Sequence, residues 1–450
     1  MRRAMNVLES GSPQEAYLYD HPYFGQIVLS GVLWLAGYPD SLSTTTDPES
    51  LESLYLAPRV LMGLLAVLDT FLVYKITEKR FGRRTAIIAS ILFAVMPMSW
   101  LLRRILLDSL LLPFVLSSVL LALYAQDSNK KHALLVSSGA CLGLAIFTKV
   151  PAFTFIPLVL FLVYSPSRKL RDAGIWLVPT FLIPLVWPVY SLFVGQFDLW
   201  VRGVLWQAGK DSIGLSGLVG YVLKIDPTLL LFGIAGFAFA AIRRDMFTVL
   251  WFAPLLLFFA SIGFIQYFHW IPLMPVMCIA AAIMINKGID KAARIVPQNY
   301  TMAGTVLVIS TFGLLVTSTI ISIDASSSQF EALSFVLERT DNNTTILANP
   351  VYSWILYGVH DKENTLRDYS LILFEPIKTE RVLLIADPHF MLDIHRGPEL
   401  EQIYNDTATI MKFRSAVDEI NTSQFPNENY RFTREGKMID IRINWDPGTT

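Results

Sequence analysis

The chain has 450 residues, 53% of them hydrophobic and only 16% charged, with a mean hydropathy of +0.48. Soluble globular proteins carry about 25% charged residues, so this composition excludes an ordinary soluble protein and points to a polytopic membrane protein. The formal net charge of -1 leaves no nucleic-acid footprint, and the two cysteines, Cys141 and Cys278, both sit inside apolar runs, which argues against a disulfide framework or a thiolate metal site.

Residues 1–11 are polar and hold no signal-peptide core. Tyr19-Asp20-His21-Pro22-Tyr23-Phe24-Gly25-Gln26 then places an acid, an imidazole and a helix-breaking proline together, just ahead of a long apolar series. Its ordinary reading is a turn whose rings rest at the lipid interface; its functional reading is a site beside a membrane domain. Residues 27–37 are apolar but amount to about half of the roughly 20 needed to span a bilayer, which predicts an interfacial or re-entrant helix. A Ser/Thr/Asp/Pro loop covers 40–52. About ten spanning segments are expected, at 58–76, 84–100, 105–125, 133–148, 150–165, 174–194, 228–242, 246–266, 268–285 and 301–323.

Basic residues set the orientation. Lys75, Lys79, Arg80, Arg83 and Arg84, then Lys130 and Lys131, Arg168, Lys169 and Arg171, Arg243 and Arg244, and Lys287, Lys291 and Arg294 fill alternate loops, which are therefore cytoplasmic. The N-terminal stretch, the loop 195–227 and everything after 323 are then expected outside. The expected organisation is an external loop with an interfacial helix over 1–57, a multi-helix membrane domain over 58–323, and an extracytoplasmic soluble domain over 324–450. An external N-terminus needs a signal or a preceding helix, so a further helix is expected upstream of Met1.

The tail alternates strand-like runs, 345–348 and 381–386, with helix-like ones around 330–338 and 408–420, which predicts a small α/β or α+β domain. Sequons at Asn342, Asn343, Asn405 and Asn421 agree with an external face.

Charges that break the positive-inside pattern are the candidates for chemistry. Arg103 and Arg104 occupy a short external loop, Asp108 follows, Lys149 lies between two external helix ends, and Arg202, Lys210 and Lys224 line the long external loop. External cations at a membrane surface call for an anionic partner, and a lipid phosphate is the natural one; the ordinary alternative is a local acid or snorkelling to headgroups. Arg104 and Asp108 are spaced to form an ion pair on one helical face. Asp69 lies deep in an apolar segment, where a functional acid and an interhelical hydrogen bond are both open. Gln266-Tyr267-Phe268-His269-Trp270 forms a third external cluster, with His269 among aromatic rings. No Walker loop, zinc-protease, nucleophile-elbow or dinucleotide fingerprint occurs in a fitting context.

These segments, in this order, resemble the GT-C superfamily of membrane glycosyltransferases, in the branch of the protein O-mannosyltransferases and aminoarabinose transferases. The likeness covers about 1–285: the Tyr19–Gln26 stretch is similar to the family's external His-Pro-Pro-type motif, with Tyr23 where a second proline is common. Ala57-Pro58-Arg59, Arg103-Arg104-Ile105-Leu106-Leu107-Asp108-Ser109, Phe147-Thr148-Lys149 and His269-Trp270-Ile271-Pro272-Leu273-Met274-Pro275 are similar to further family segments. The resemblance implies inverting transfer of a sugar from a polyprenyl or dolichyl phosphate to a protein or glycolipid acceptor at the external face, within membrane lipid and without a cofactor or catalytic metal. It implies that Arg103, Arg104, Lys149 and Arg202 bind the donor phosphate, and that His21, Tyr23 and His269 shape the sugar and acceptor pocket. Family members carry an acidic pair upstream of the His-Pro-Pro-type motif; it is absent here, so the principal base is expected before Met1, with Asp20 and Asp108 as the acids left to serve. The rival readings are a transporter or flippase for a lipid-linked or anionic solute, and a non-catalytic membrane partner built on the same scaffold.

Overall fold

The computed structural model describes residues 1–14, 19–208, 214–262, 267–322, 326–341, 343–366, 372, 377, 379–387, 398–414 and 438–445. Lys210, Gln266 and the sequons at Asn342 and Asn421 lie outside the described residues; Asn343 and Asn405 are exposed. The chain divides into two compact units, one made of Ser12–Val28 and Pro58–Ile321, the other of Met1–Gly11, Leu29–Ala57 and Ser322–Thr450.

The first unit is helical. Each of the ten expected spanning segments is mainly helical over its described residues, with breaks such as the one at 104–106, and they differ in length. Six helices among the described residues are long and apolar enough to cross a membrane: Leu56–Phe81, Leu107–Ala125, Lys131–Thr148, Leu170–Phe193, Phe268–Ala292 and Gln298–Ile321. Arg83–Val95 and the 3-10 helix Pro97–Arg103 make a seventh only as a pair bent by 68°. Val150–Pro166, Pro227–Ile242 and Met246–Ser261 are shorter apolar helices, as is Phe24–Leu35 over the predicted half-length stretch. Proline explains several of the breaks, because it lacks an amide donor and is tolerated mainly at a helix start; it opens Pro97–Arg103 and Pro227–Ile242.

Three helices of this unit pack closely on one another. Leu107–Ala125 and Lys131–Thr148 are joined by a short connection and pack side by side, and Leu170–Phe193 packs on the second of them. Small polar side chains tie the three together: Ser138 donates to the Ser118 carbonyl at 2.8 Å, the Trp176 indole donates to Ser138 Oγ at 3.2 Å, and Thr180 lies 3.3 Å from the Gly139 carbonyl. Such contacts take the place of the hydrophobic drive that lipid does not supply. Because the first two helices are antiparallel neighbours, the start of one, Asp108, is brought to the end of the other, Lys149.

Asp69, near the middle of Leu56–Phe81, is 1% exposed, and neither of its oxygens has a hydrogen-bond partner among the described residues. Among the described residues the interhelical hydrogen bond offered for it by sequence is therefore not made.

The second unit holds a five-stranded sheet of β1 (Thr344–Leu347), β2 (Thr365–Leu366), β3 (Arg381–Ala386), β4 (Ala408–Arg414) and β5 (Met438–Ile443). Its order is β2-β1-β3-β5-β4. β1 is parallel to β2 and β3, with Ile346 opposite Leu383, while β5 runs antiparallel to β3 and β4. β1, whose two threonines precede Ile346 and Leu347, is buried throughout, and β3 is buried from Val382 to Ala386, as expected for strands covered on both faces. Leu347, Val382, Leu384 and Leu400 form the core. The helix Ser327–Arg339 falls where expected. The stretch beginning at 408 does not: Ala408–Arg414 is a strand, because pairing with β5 overrides its weak helical spacing, and 415–420 lies outside the described residues.

Candidate functional site

The Tyr19–Gln26 stretch is held by its own aromatic rings. Tyr19 and Tyr23 are buried with Phe147 and Trp187; Tyr23 meets Phe147 edge-on at 4.9 Å and Tyr190 at 5.4 Å. The Tyr19 hydroxyl donates to Gln196 Oε1 at 2.5 Å, and Gln26 Nε2 donates to the Pro13 carbonyl at 2.7 Å. Burial first, and the neighbouring Tyr190 second, push both Tyr19 and Tyr23 up to about 12, so both stay protonated donors at neutral pH.

The helix Phe197–Ala208 covers the stretch. A Cβ at Gly203 would run into the Tyr19 backbone carbonyl, so only glycine permits this approach. Gly203→Ala is expected to push the Tyr19–His21 backbone aside and cost about 1–3 kcal/mol of stability, the usual range for overpacking. Thermal unfolding in detergent, beside Gly174→Ala, where a Cβ meets open space, provides the measurement.

Pinned in this way, the stretch presents Asp20 and His21. Their side chains are 12% and 20% exposed, with Asp20 Oδ2 3.9 Å from His21 Nε2. Gln207 Nε2 lies 3.4 Å from the same His21 nitrogen. Next to them is a buried ion pair: Lys149 Nζ donates to Asp108 Oδ2 at 2.6 Å, with both side chains 5% exposed. Asp20 is near enough for its charge to act on Lys149, and Lys149 Nζ stands 4.4 Å from the centre of the Phe268 ring. His269 is 3% exposed. It stacks on Phe259 at 4.6 Å and edge-on against Phe268, whose ring faces Lys149 Nζ.

The structure thus gathers Asp20, His21, Asp108, Lys149 and His269 from four separate stretches of chain. Tyr23 supports this cluster from within the aromatic core. The Arg104–Asp108 pair suggested by spacing is not formed. Leu106 is extended at φ -121° and ψ 149°, so the helix begins at Leu107, Arg104 lies before it, and Asp108 pairs with Lys149 instead. Arg104 is half-buried with its guanidinium 5.4 Å from the Trp100 ring. Arg103 is exposed at the end of Pro97–Arg103, which packs against the Tyr267–Leu273 3-10 helix that carries Phe268 and His269. Arg202 is exposed on the covering helix. Among the described residues no group of three or more His, Cys, Asp or Glu side chains is placed to hold a metal ion.

Sequence reasoning passed over Asp226. It is 1% exposed, and its carboxylate accepts from the Leu229 amide at 2.8 Å and the Met98 amide at 3.3 Å. The Asp226-Pro227 step is a helix-start signature that marks the first of these contacts; the second depends on tertiary structure.

Residues 12–194 match the family model for dolichyl-phosphate-mannose-protein mannosyltransferase. No curated protein matches the sequence. The fold is similar to ArnT from Cupriavidus metallidurans bound to undecaprenyl phosphate, at 13% identity and a TM-score of 0.56, over 99% of this chain and 93% of that one. It is also similar to the archaeal oligosaccharyltransferase AglB from Archaeoglobus fulgidus in complex with an inhibitory peptide and a dolichol-phosphate, at 12% identity and a TM-score of 0.57, over 98% of this chain and 71% of that one. The same oligosaccharyltransferase tethered to an acceptor peptide gives a TM-score of 0.59 at 12% identity, with coverage of 98% and 71%.

Proposed function

We infer that this chain, a membrane glycosyltransferase of the GT-C superfamily, moves a sugar from a polyprenyl or dolichyl phosphate to a hydroxyl of a protein or glycolipid acceptor at the external face of a cell membrane. The observation that carries this reading is the cluster of Asp20, His21, Asp108, Lys149 and His269, assembled largely within the segment that matches the mannosyltransferase family. The sequons and the basic loops support an external tail domain that would meet the acceptor.

In the proposed reaction the acceptor oxygen attacks the anomeric carbon as the bond from that carbon to the phosphate oxygen breaks. The phosphate leaves with the bonding electron pair, and the acceptor proton passes to a carboxylate. Asp20 suits that last role better than Asp108, whose carboxylate is buried and already bound to an ammonium. His21 and His269 would line the sugar. Lys149 would face the leaving phosphate, but its charge is already balanced by Asp108, so Arg103 and Arg104 would supply the remaining charge, through the donor geometry that suits a phosphate.

The test is transfer from a radiolabelled dolichyl-phosphate mannose to serine- and threonine-containing peptides and to glycolipids, with the chain in membranes. Transfer is expected, and Arg104→Ala should raise the donor KM about tenfold, the effect of losing one charge-assisted contact of about 1.4 kcal/mol. Failure to use any polyprenyl-phosphate sugar with either acceptor class would sink the reading.

A further inference from the structure

We infer that Asp226 is a positioning residue for donor binding, holding the short helix that delivers Arg103 and Arg104. This rests on the proposed role of Arg104 at the donor phosphate. Pro97–Arg103 is a single 3-10 segment set off from Arg83–Val95 by a sharp bend. Pro97 has no amide hydrogen, and the Ser99 amide is bound to the Met96 carbonyl at 2.8 Å. The Met98 amide is therefore the donor in this first turn that local structure leaves over, and Met98 is only 1% exposed. Asp226 Oδ2 accepts it at 3.3 Å.

The other oxygen of the same carboxylate accepts from Leu229 at 2.8 Å and so caps Pro227–Ile242. One buried side chain thus closes two helix starts, and its partner Met98 lies 128 residues away in sequence. The opposite end of Pro97–Arg103 is where the cations sit: the Arg104 amide donates to the Leu101 carbonyl at 3.1 Å, and its guanidinium lies against Trp100. Further ties hold the bend itself, with Ser99 Oγ donating to the Phe93 carbonyl at 2.5 Å and Thr317 Oγ1 to the Val95 carbonyl at 2.6 Å. Asp226 adds a further tie, from the start of Pro227–Ile242. Alanine there leaves the Met98 amide buried without an acceptor, and the segment must shift to find one, carrying the arginines with it. Asparagine keeps one acceptor oxygen and the same shape.

The test measures dolichyl phosphate binding in detergent by wild-type protein, Asp226→Ala, Asp226→Asn, Arg104→Ala and the double variant Asp226→Ala/Arg104→Ala. Asp226→Ala is expected to weaken binding about tenfold and Asp226→Asn about threefold, with the double variant no weaker than Arg104→Ala alone, since coupled residues are not additive. In transfer assays the donor KM should rise while kcat at saturating donor stays within about twofold, the pattern of lost uniform binding. Wild-type affinity in Asp226→Ala overturns the inference, as does an equal further loss when that change is added to Arg104→Ala. If Asp226→Ala does not fold, Asp226→Asn decides: wild-type affinity overturns the inference and a threefold loss that disappears in the Arg104→Ala background upholds it. Wild-type affinity in Arg104→Ala is a different pattern, which removes the arginine from the donor site and this role of Asp226 with it.

Discussion

Lys149→Ala should destabilise the helical unit by about 3–5 kcal/mol, the cost of leaving one member of a buried ion pair without its partner. Both side chains of the Lys149–Asp108 pair are 5% exposed, and Nζ and Oδ2 are 2.6 Å apart. Removing the ammonium strands the Asp108 carboxylate in a site that water hardly reaches. Asp108→Ala strands the ammonium and is expected to cost a similar amount. The double change Asp108→Leu/Lys149→Met should recover most of the loss, because a well-packed apolar pair often matches a buried ion pair in stability. Thermal unfolding in detergent reads all three variants. Single variants that unfold at the wild-type temperature would rule out a buried pair between Lys149 and Asp108. Transfer activity should be lost in the double variant in spite of its recovered stability, since the ammonium would be gone from the proposed phosphate site. That separation of stability from activity distinguishes a working lysine from one that only holds two helices together.

Much of the helical unit is visible in sequence because lipid imposes a simple rule: a spanning helix must be apolar, and the loops between helices carry the charge. Lys149 stands out for the same reason, as a cation between two apolar segments. Its partner does not. Local spacing offered Arg104 to Asp108, but a helix that begins only at Leu107 cannot use that spacing, and the real pair spans 41 residues through an antiparallel helix packing. The backbone contact between Gly203 and Tyr19 and the hydrogen bond from Gln207 to His21 are of the same kind, long-range consequences of how one helix lies over a loop. In the tail, β1 and β3 are legible as short strand-like runs of β-branched and apolar residues, whereas Ala408–Arg414 has apolar residues at 408, 410, 411 and 413 that suit a helix as well as a strand. Only its partner Met438–Ile443, distant in sequence, decides between them.

Asp20→Asn should lower kcat for sugar transfer by about 10²–10⁴-fold, the usual contribution of a positioned general base. Asparagine keeps the size of the side chain and one acceptor oxygen but cannot take the proton of the attacking hydroxyl. The donor KM is expected to stay within about twofold of wild type, because the proton moves only in the transition state. Asp108→Asn is the informative control. It weakens the hold on Lys149 while leaving Asp20 in place, so it should act on donor affinity and stability and spare the proton transfer. A larger fall in kcat for Asp108→Asn than for Asp20→Asn would reverse the assignment of the base. The geometry favours Asp20: it is more than twice as exposed as Asp108, 12% against 5%, and lies beside His21 rather than against an ammonium at 2.6 Å. An acid that must meet an incoming hydroxyl has to be reachable, and of the two carboxylates in this cluster Asp20 is the one the pinned loop presents.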